Sequence, residues 1–323
     1  MNIELIGNPP NVKRKITGFY SLDRAFTNIR GDLGVPVNVG YEIFGSNGVG
    51  KSSFCYGLSG LIADPPGIAL SDFESFDPEL FVTMLKTVGF SGKAQIVSDI
   101  DDETQLDKLI DTLRDGKNKL PAEYSVGIVD SLGAISPISE QEGEIGEANM
   151  GRRAIIVAQF SRKMLKLQRD AISPKTILMI NHWYPKIGSR GYDTPSGEVK
   201  KYLASIRILL RRKEEFKDGS YVLEGYTYKN RWGYKERRFY VFMLAGKGIH
   251  RGMSALYDGT LLGVVERKKI IKIGEENFGY MKNIIMEHAH TGDDEFFQPF
   301  IDILKTDVGE IQSDDTDIER AED

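Results

Sequence analysis

The residues from Gly45 to Ser53 read GSNGVGKSS and match the pattern G-x-x-x-x-G-K-[ST] at every fixed position. Glycine at 45, 48 and 50 lets successive backbone N–H groups turn toward one point, where an anion can be held at the positive end of a following helix. Lys51 adds a mobile charge for terminal phosphates. Ser52 offers a hydroxyl to magnesium, a hard cation that prefers oxygen ligands. Ser46, Asn47, Val49 and Ser53 complete the loop. The pattern carries meaning only between a strand and a helix, and Gly40 to Phe44 before it and Phe54 to Ile62 after it supply that context.

Two further apolar runs end in carboxylates. Gly67 to Leu70 leads into Ser71, Asp72, Phe73 and Glu74, and Tyr124 to Val129 leads into Asp130 and Ser131. In open parallel sheets ligands bind at the carboxyl ends of the strands. Glu74 can polarise a water aimed at a terminal phosphate, or it can cap the segment that starts at Asp77 and Pro78. Asp130 fits the second magnesium-organising residue of a phosphate-loop ATPase, the alternative being a strand-end cap. A third run, Thr176 to Ile180, puts Asn181 and His182 on the same edge.

The remaining elements must position these groups. Ile16 to Phe26 holds a turn at Thr17 and Gly18, then a short helix with Ser21 as its cap. Asp101 to Leu113 has the spacing of a surface helix. Ser136 to Met150 is an acidic, glycine-containing loop, and Gly151 to Asp170 after it is a helix carrying Arg152, Arg153, Arg162, Lys163, Lys166 and Arg169. Arg162, Lys166 and Arg169 share one face, either a solvated stripe or a cationic surface. Trp183 to Gly197 mixes Lys186, Arg190, glycines, prolines and aromatics without periodicity, which suits single-stranded nucleic acid. Leu203 to Leu210 reads as a strand followed by Arg211, Arg212 and Lys213. Tyr221 to Tyr228 and Arg238 to Leu244 flank a basic turn, Lys229, Asn230 and Arg231, as antiparallel strands closing the sheet. Beyond Gly252 the pattern changes to short helices over Ala255 to Val265, Phe278 to Glu287 and Glu295 to Leu304.

At 323 residues, with 41% hydrophobic, the chain can bury a substantial core. No leader pattern and no run of about 18 apolar residues appears, so a cytoplasmic protein without membrane contact is expected. Cys55 stands alone, which rules out an internal disulfide, and the four histidines lack the spacing of a tetrahedral metal site. The net charge of −5 argues against nucleic acid until its distribution is read: Asp307 to Asp323 carries −7, leaving the rest at +2. The acidic tail either competes for a cationic surface or simply solvates the chain.

With these pieces placed, the sequence resembles the RecA recombinase family. The resemblance rests on the phosphate loop, on VDSLGAISPISEQEGEIGEANMG from Val129, on MINHWYPKIGSRGYDTPSG from Met179, and on ITGFYSLD, DFESFDP, YLASIRILLRR and YKNR, in order from Ile3 to about Ile249. It implies an α/β fold: a RecA-like P-loop ATPase core with a mostly parallel central sheet flanked by helices, plus a small C-terminal α/β or helical domain. The expected divisions are a docking strand and linker (1–15), the core (16–251), the small domain (252–306) and the acidic tail (307–323). The implied activity is DNA-dependent hydrolysis of ATP with Mg2+, by a helical filament on single-stranded DNA that pairs with homologous duplex and exchanges strands. A helicase or recombination mediator built on the same core is the alternative.

Carried over by resemblance, Gly45 to Ser53 and Asp77 would contact ATP, and Ser52 and Asp130 would organise the magnesium. Glu74 would activate water and His182 would sense the terminal phosphate, where a glutamine is usual. Lys229 and Arg231 match basic residues that reach a neighbour's nucleotide. Met150 and Ile187 match apolar wedges between base triplets, while Arg153, Arg162, Lys186, Gly188, Arg190 and Gly197 would meet DNA. Leu80 or Phe81 stands in the region of an adenine-stacking tyrosine. The long N-terminal helix of the family is absent and only NIELIG remains of the polymerisation arm, as in bacteriophage recombinases. Assembly is expected to draw on a single-strand-binding protein or loader.

Overall fold

The computed structural model describes residues 12–74, 77–97, 103–114, 123–138, 151–170, 173–185, 192–194 and 204–305. Two short strands, β1 (Lys13–Lys15) and β2 (Val35–Val37), pair antiparallel around helix α1 (Tyr20–Ala25). Ser21 does not cap that helix. It lies inside it, buried, with its hydroxyl donating to the carbonyl of Tyr240 at 3.0 Å and accepting from the same residue's N–H. The entry turn is instead held by Asp23, whose carboxylate accepts from the backbone N–H groups of Thr17 and Gly18.

From Gly40 onward, apolar runs alternate with helical segments, and parallel pairing follows because each crossover helix returns the chain to the same edge. The strands are β3 (Gly40–Gly45), β4 (Gly67–Asp72), β5 (Lys93–Val97), β6 (Val126–Asp130) and β7 (Thr176–His182). Tyr184–Pro185 (β8) and Tyr192–Asp193 (β9) pair antiparallel, so part of the stretch expected to be irregular is a ladder. The sheet is completed by β10 (Ile206–Glu215), β11 (Tyr221–Asn230), β12 (Arg238–Leu244) and β13 (Gly248–Ile249). The nine strands lie in the order β13-β12-β11-β10-β3-β7-β6-β4-β5. The expected antiparallel closure is present, with β10 running on through the basic cluster Arg211 to Lys213.

Strand alternation divides the core into two layers. Ile68, Leu70, Leu178 and Ile180 face α2 (Lys51–Ile62) and α3 (Pro78–Thr87), whose Phe54, Leu58 and Phe81 they meet. Ala69, Ile177 and Met179 face the other way, onto Leu106 and Leu109 of α4 (Glu103–Leu113) and Val157 and Phe160 of α5 (Arg152–Gln168). The strands are covered on both faces, which is why they read as unbroken apolar runs.

A third cluster joins Val222, Tyr240 and Phe242 of the sheet to helix α6 (Arg251–Leu261) and to Phe297 and Phe300, the latter on α7 (Gln298–Ile303). The segment between is not purely helical. Glu266–Arg267 (β14), Ile271–Ile273 (β15) and Glu276–Gly279 (β16) make a small antiparallel sheet, so Phe278 lies on a strand. Gly274, at φ 59°, turns the chain between β15 and β16, and strands of two to four residues leave too little periodicity to be seen beforehand.

Candidate nucleotide site

The parallel strands β3, β4, β6 and β7 all deliver their carboxyl ends to one edge, and there a cavity of about 460 Å3 opens. It is lined by Asn47, Lys51, Ser52, Glu74, Asp130 and His182, among others. The loop that supplies the first three depends on two left-handed glycines, Gly48 at φ 71° and Gly50 at φ 104°. Gly50 is the residue before α2, so the free N–H groups of that helix's first turn point into the cavity. Lys51 is nearly buried, with Nζ folded back to the carbonyls of Ser46 at 2.9 Å and Gly45 at 3.3 Å. Burial lowers its pKa, while Glu74 and Asp130 hold it up.

Asp130 is buried at the end of β6. Its Oδ2 accepts from the Tyr56 hydroxyl at 2.9 Å, whereas Oδ1 has no hydrogen-bond partner. Burial pushes this carboxyl above the usual carboxylate range, against the opposing pull of Ser52 and Tyr56 beside it. An unpaired, buried carboxylate oxygen next to a serine hydroxyl and a phosphate loop is a fit for magnesium, which keeps most of its shell as water and phosphate oxygens. No group of three or more His, Cys, Asp or Glu able to hold a metal by itself occurs among the described residues.

Glu74 caps no helix. The cap of α3 is Asp77, whose Oδ1 accepts from the N–H groups of Glu79 and Leu80. Glu74 Oε1 instead accepts from the Ser131 hydroxyl at 2.6 Å and lies 3.0 Å from His182 Nε2. Partial burial raises its pKa, but Ser131, His182 and Lys51 outweigh it and hold the carboxyl below the usual range. The His182 ring reaches the phosphate loop on its other side, with Nδ1 2.7 Å from Asn47 Oδ1.

Sequence expectations and geometry separate at several points. Asp77 is occupied as a helix cap and does not line the cavity. Phe81 is fully buried, edge-on to Tyr56 with ring centroids 4.9 Å apart, so it is a core residue with no face for a base. Arg153 spends one guanidinium N–H on the carbonyl of Ile135 at 2.8 Å, while Arg162 is exposed together with Lys166 and Arg169. Met150, Lys186, Ile187, Gly188, Arg190 and Gly197 lie outside the described residues. Arg212 and Tyr221 line the cavity unforeseen: Arg212 donates to the carbonyl of Gly48 at 2.6 Å, and its guanidinium sits over the Tyr221 ring at 4.3 Å. The basic cluster Arg211 to Lys213, within β10, was the available signal. The Ser131 contact carried no sequence signal, because it needs the ends of β4 and β6 side by side.

Lys229 and Arg231 are not in this cavity. Lys229 is opposite Arg207 on β10, and Arg207 is opposite Glu42, three residues before Gly45 on β3. At about 3.3 Å per residue they stand roughly 10–15 Å from the phosphate loop, toward the amino edge of the parallel strands. Lys229 Nζ donates to the carbonyl of Ala204 at 2.7 Å. Burial, with Arg231 and Arg207 nearby, pushes its pKa down to about 8. Arg207 itself is buried against Glu42 at 2.6 Å, and Asn181 Nδ2 completes the Glu42 carboxylate at 2.9 Å.

Residues 5–232 match the family described as the RecA N-terminal domain. The chain belongs to the RecA family. It is 30% identical over 263 residues to Protein RecA of Cutibacterium acnes, covering 78% of this chain and 70% of that one. It is 29% identical over 279 residues to Protein RecA of Salinispora arenicola, with 83% and 74% covered. Protein RecA of a Nitratiruptor species is 27% identical over 274 residues, with 80% and 76% covered. The RecA family assignment agrees with the nine-stranded, mostly parallel sheet and its helices on both faces. No described helix is long and apolar enough to cross a membrane.

Proposed function

We propose that this chain is a DNA-dependent ATPase of recombination, which assembles head to tail on single-stranded DNA, pairs it with homologous duplex and exchanges strands. The observation that carries the reading is the division of its cationic and acidic groups between two edges of one sheet. Lys51, Ser52, Glu74, Asp130 and His182 meet in the cavity at the carboxyl edge, while Lys229 and Arg231 stand apart, where another subunit's nucleotide could meet them.

In this reading Lys51 leaves the carbonyls of Gly45 and Ser46 for the phosphate oxygens, and Gly48 to Ser53 wrap the phosphates with backbone N–H groups. Ser52 and Asp130 would hold magnesium, which supplies charge neutralisation at the phosphates when bound. Glu74, pinned through Oε1, turns its other oxygen to a water and orients it for attack. Lys229 and Arg231 of an adjacent subunit add positive charge where the transition state develops negative charge, so turnover requires assembly. The cations on α5 and the segment beyond β8 would track the DNA backbone, with an acidic tail competing for the same surface. A single-strand-binding protein or loader would assist assembly.

The test is ATP hydrolysis with and without single-stranded DNA, with negative-stain imaging of the same samples. Stimulation together with helical filaments is expected. DNA-independent hydrolysis by closed rings or monomers would overturn the reading in favour of a helicase or another phosphate-loop enzyme.

A further inference from the structure

Lys229 closes on the end of β11, and Arg231 opens the turn that leads back into β12. That turn is seated on two sides. The Arg231 N–H donates to the carbonyl of Ser205 at 3.0 Å, and the Tyr234 N–H donates to the carbonyl of Thr27 at 3.3 Å. Gly233 presses against the same Thr27 carbonyl, where a Cβ would lie 2.5 Å from the oxygen. A further hold comes from β1. The half-buried Arg14 donates through Nη2 to the carbonyl of Trp232, and through Nη1 to the carbonyls of Phe26 and, at 2.8 Å, Gly34. Carbonyl oxygens only accept and a guanidinium only donates, so the direction of all three bonds is fixed. One planar fork thus fastens the exit of α1, the approach to β2 and the residue next to Arg231.

We propose that Arg14 is a positioning residue for Lys229 and Arg231: it holds their turn at a fixed place on the amino-terminal segment, from which the two cations reach an adjacent subunit's nucleotide. What the turn does rests on the proposed function, whereas the seating belongs to the single nucleotide-free subunit. Arg231 is exposed and Lys229 only half-buried, so side-chain packing does not fix their reach and the backbone beneath them must. A charged group displaced by about 1 Å loses much of its effect on a transition state. Arg14 does not line the cavity. Loosening it therefore leaves the subunit's own phosphate loop, Glu74 and Asp130 in place. Arg14 serves the neighbour's site and not its own, and that asymmetry can be measured.

In full-length Arg14→Gln, which lacks the fork, DNA-stimulated kcat should fall about tenfold, with KM for ATP and binding of a fluorescent ATP analogue steady. Arg14→Lys, which keeps the charge, should fall less. Equal mixtures on single-stranded DNA assign the defect. With Glu74→Gln, whose cavity is inactive and whose donor is sound, Arg14→Gln should climb to about a quarter of the wild-type rate, because about one neighbouring pair in four is productive. With Lys229→Ala, whose cavity is sound, it should gain nothing. Gain with Lys229→Ala, or gain with neither while Glu74→Gln and Lys229→Ala rescue one another, overturns the role of Arg14 and leaves the proposed function. No rescue in that reference mixture removes the donor in trans and this proposal with it. The seating has its own readout. With Trp183→Phe, Trp232 is the one tryptophan, and its quenching by acrylamide in the nucleotide-free chain should rise about twofold in Arg14→Gln and in Gly233→Ala. Unchanged quenching in Arg14→Gln shows a turn held without Arg14 and overturns the proposal. If Arg14→Gln does not fold, Arg14→Lys and Gly233→Ala go through the same mixtures with the same expected pattern.

Discussion

At the scale of single residues, Gly50 shows how closely the phosphate loop is fitted to the strands beyond it. A Cβ there would lie 2.1 Å from the Tyr221 hydroxyl, and φ is 104°. Gly50→Ala therefore meets two obstacles, a backbone conformation that costs about 1 kcal/mol for an L side chain and a tyrosine that must move. It should weaken binding of a fluorescent ATP analogue at least tenfold. Adding Tyr221→Ala should restore only part of that loss, since the backbone strain remains. The glycine pattern was readable in the sequence, but its partner was not. Tyr221 reaches the loop only because β11 lies beyond β10, which pairs with β3, and that adjacency of distant segments leaves no local mark.

At the scale of elements, the ion pair of Glu42 on β3 with Arg207 on β10, joined by Asn181 on β7, ties three adjacent strands together inside the protein. Arg207→Met strands a buried carboxylate and should cost about 3–5 kcal/mol in urea unfolding, whereas Glu42→Gln combined with Arg207→Met should recover much of it. Two buried polar groups at helix α6, its cap His250 and Asp258 within it, have opposing pH dependence. His250 accepts from the Met253 N–H through Nδ1 at 3.1 Å, and burial pushes its pKa down to about 4. Below about pH 6.5 the unfolded chain takes up a proton that the fold refuses, so stability falls as pH drops toward 4. Asp258 accepts from the Ser21 N–H at 3.0 Å, and burial pushes its carboxyl up to about 7. Above about pH 3.9 the unfolded chain has released a proton that the fold retains, so stability falls as pH rises toward 7. The two slopes offset one another across most of this range. Relative to wild type, the Tm of Asp258→Asn should rise with pH between about 4 and 7, and that of His250→Asn, which keeps a capping acceptor, should fall with pH between about 4 and 6.5. Parallel curves for all three proteins would remove both assignments. Neither group was marked beforehand, because burial of a lone His or Asp is decided by which helix packs over it. The strands were legible where they are long and covered on both faces, and illegible in β14 to β16, where they are short.

At the scale of the whole molecule, the separation of the two basic residues from the cavity makes a specific demand on mixed assemblies. Glu74→Gln and Lys229→Ala should each abolish DNA-stimulated turnover alone. Mixed in equal amounts on single-stranded DNA, they should regain part of it, because an intact cavity on one subunit can face an intact Lys229 on the next. Turnover that stays at the level of the separate variants would show that Lys229 does not act on a neighbour. The overall architecture was foreseeable from the order of motifs, since each chemical group closes a parallel strand. The position of Lys229 and Arg231 relative to the cavity came only with the register of β10 against β3 and β11.

That register also governs arithmetic at the ends of an assembly. In the proposed assembly a subunit whose acceptor cavity and donor side chains lie on different edges would be polar, and copies joined in this way would share one direction. An open row of subunits then always contains one cavity without a donor and one donor without a cavity, so a row of n subunits completes n − 1 sites and a closed ring completes all n. Turnover per subunit should therefore climb with row length and level off for long rows, and a short DNA that seats only two copies should run at half the rate of a long one. Capping one terminus with a Lys229→Ala copy should silence a single site, while the same copy at the other terminus should silence none. The sheet that positions the chemistry would thus also give the proposed assembly a leading and a trailing end.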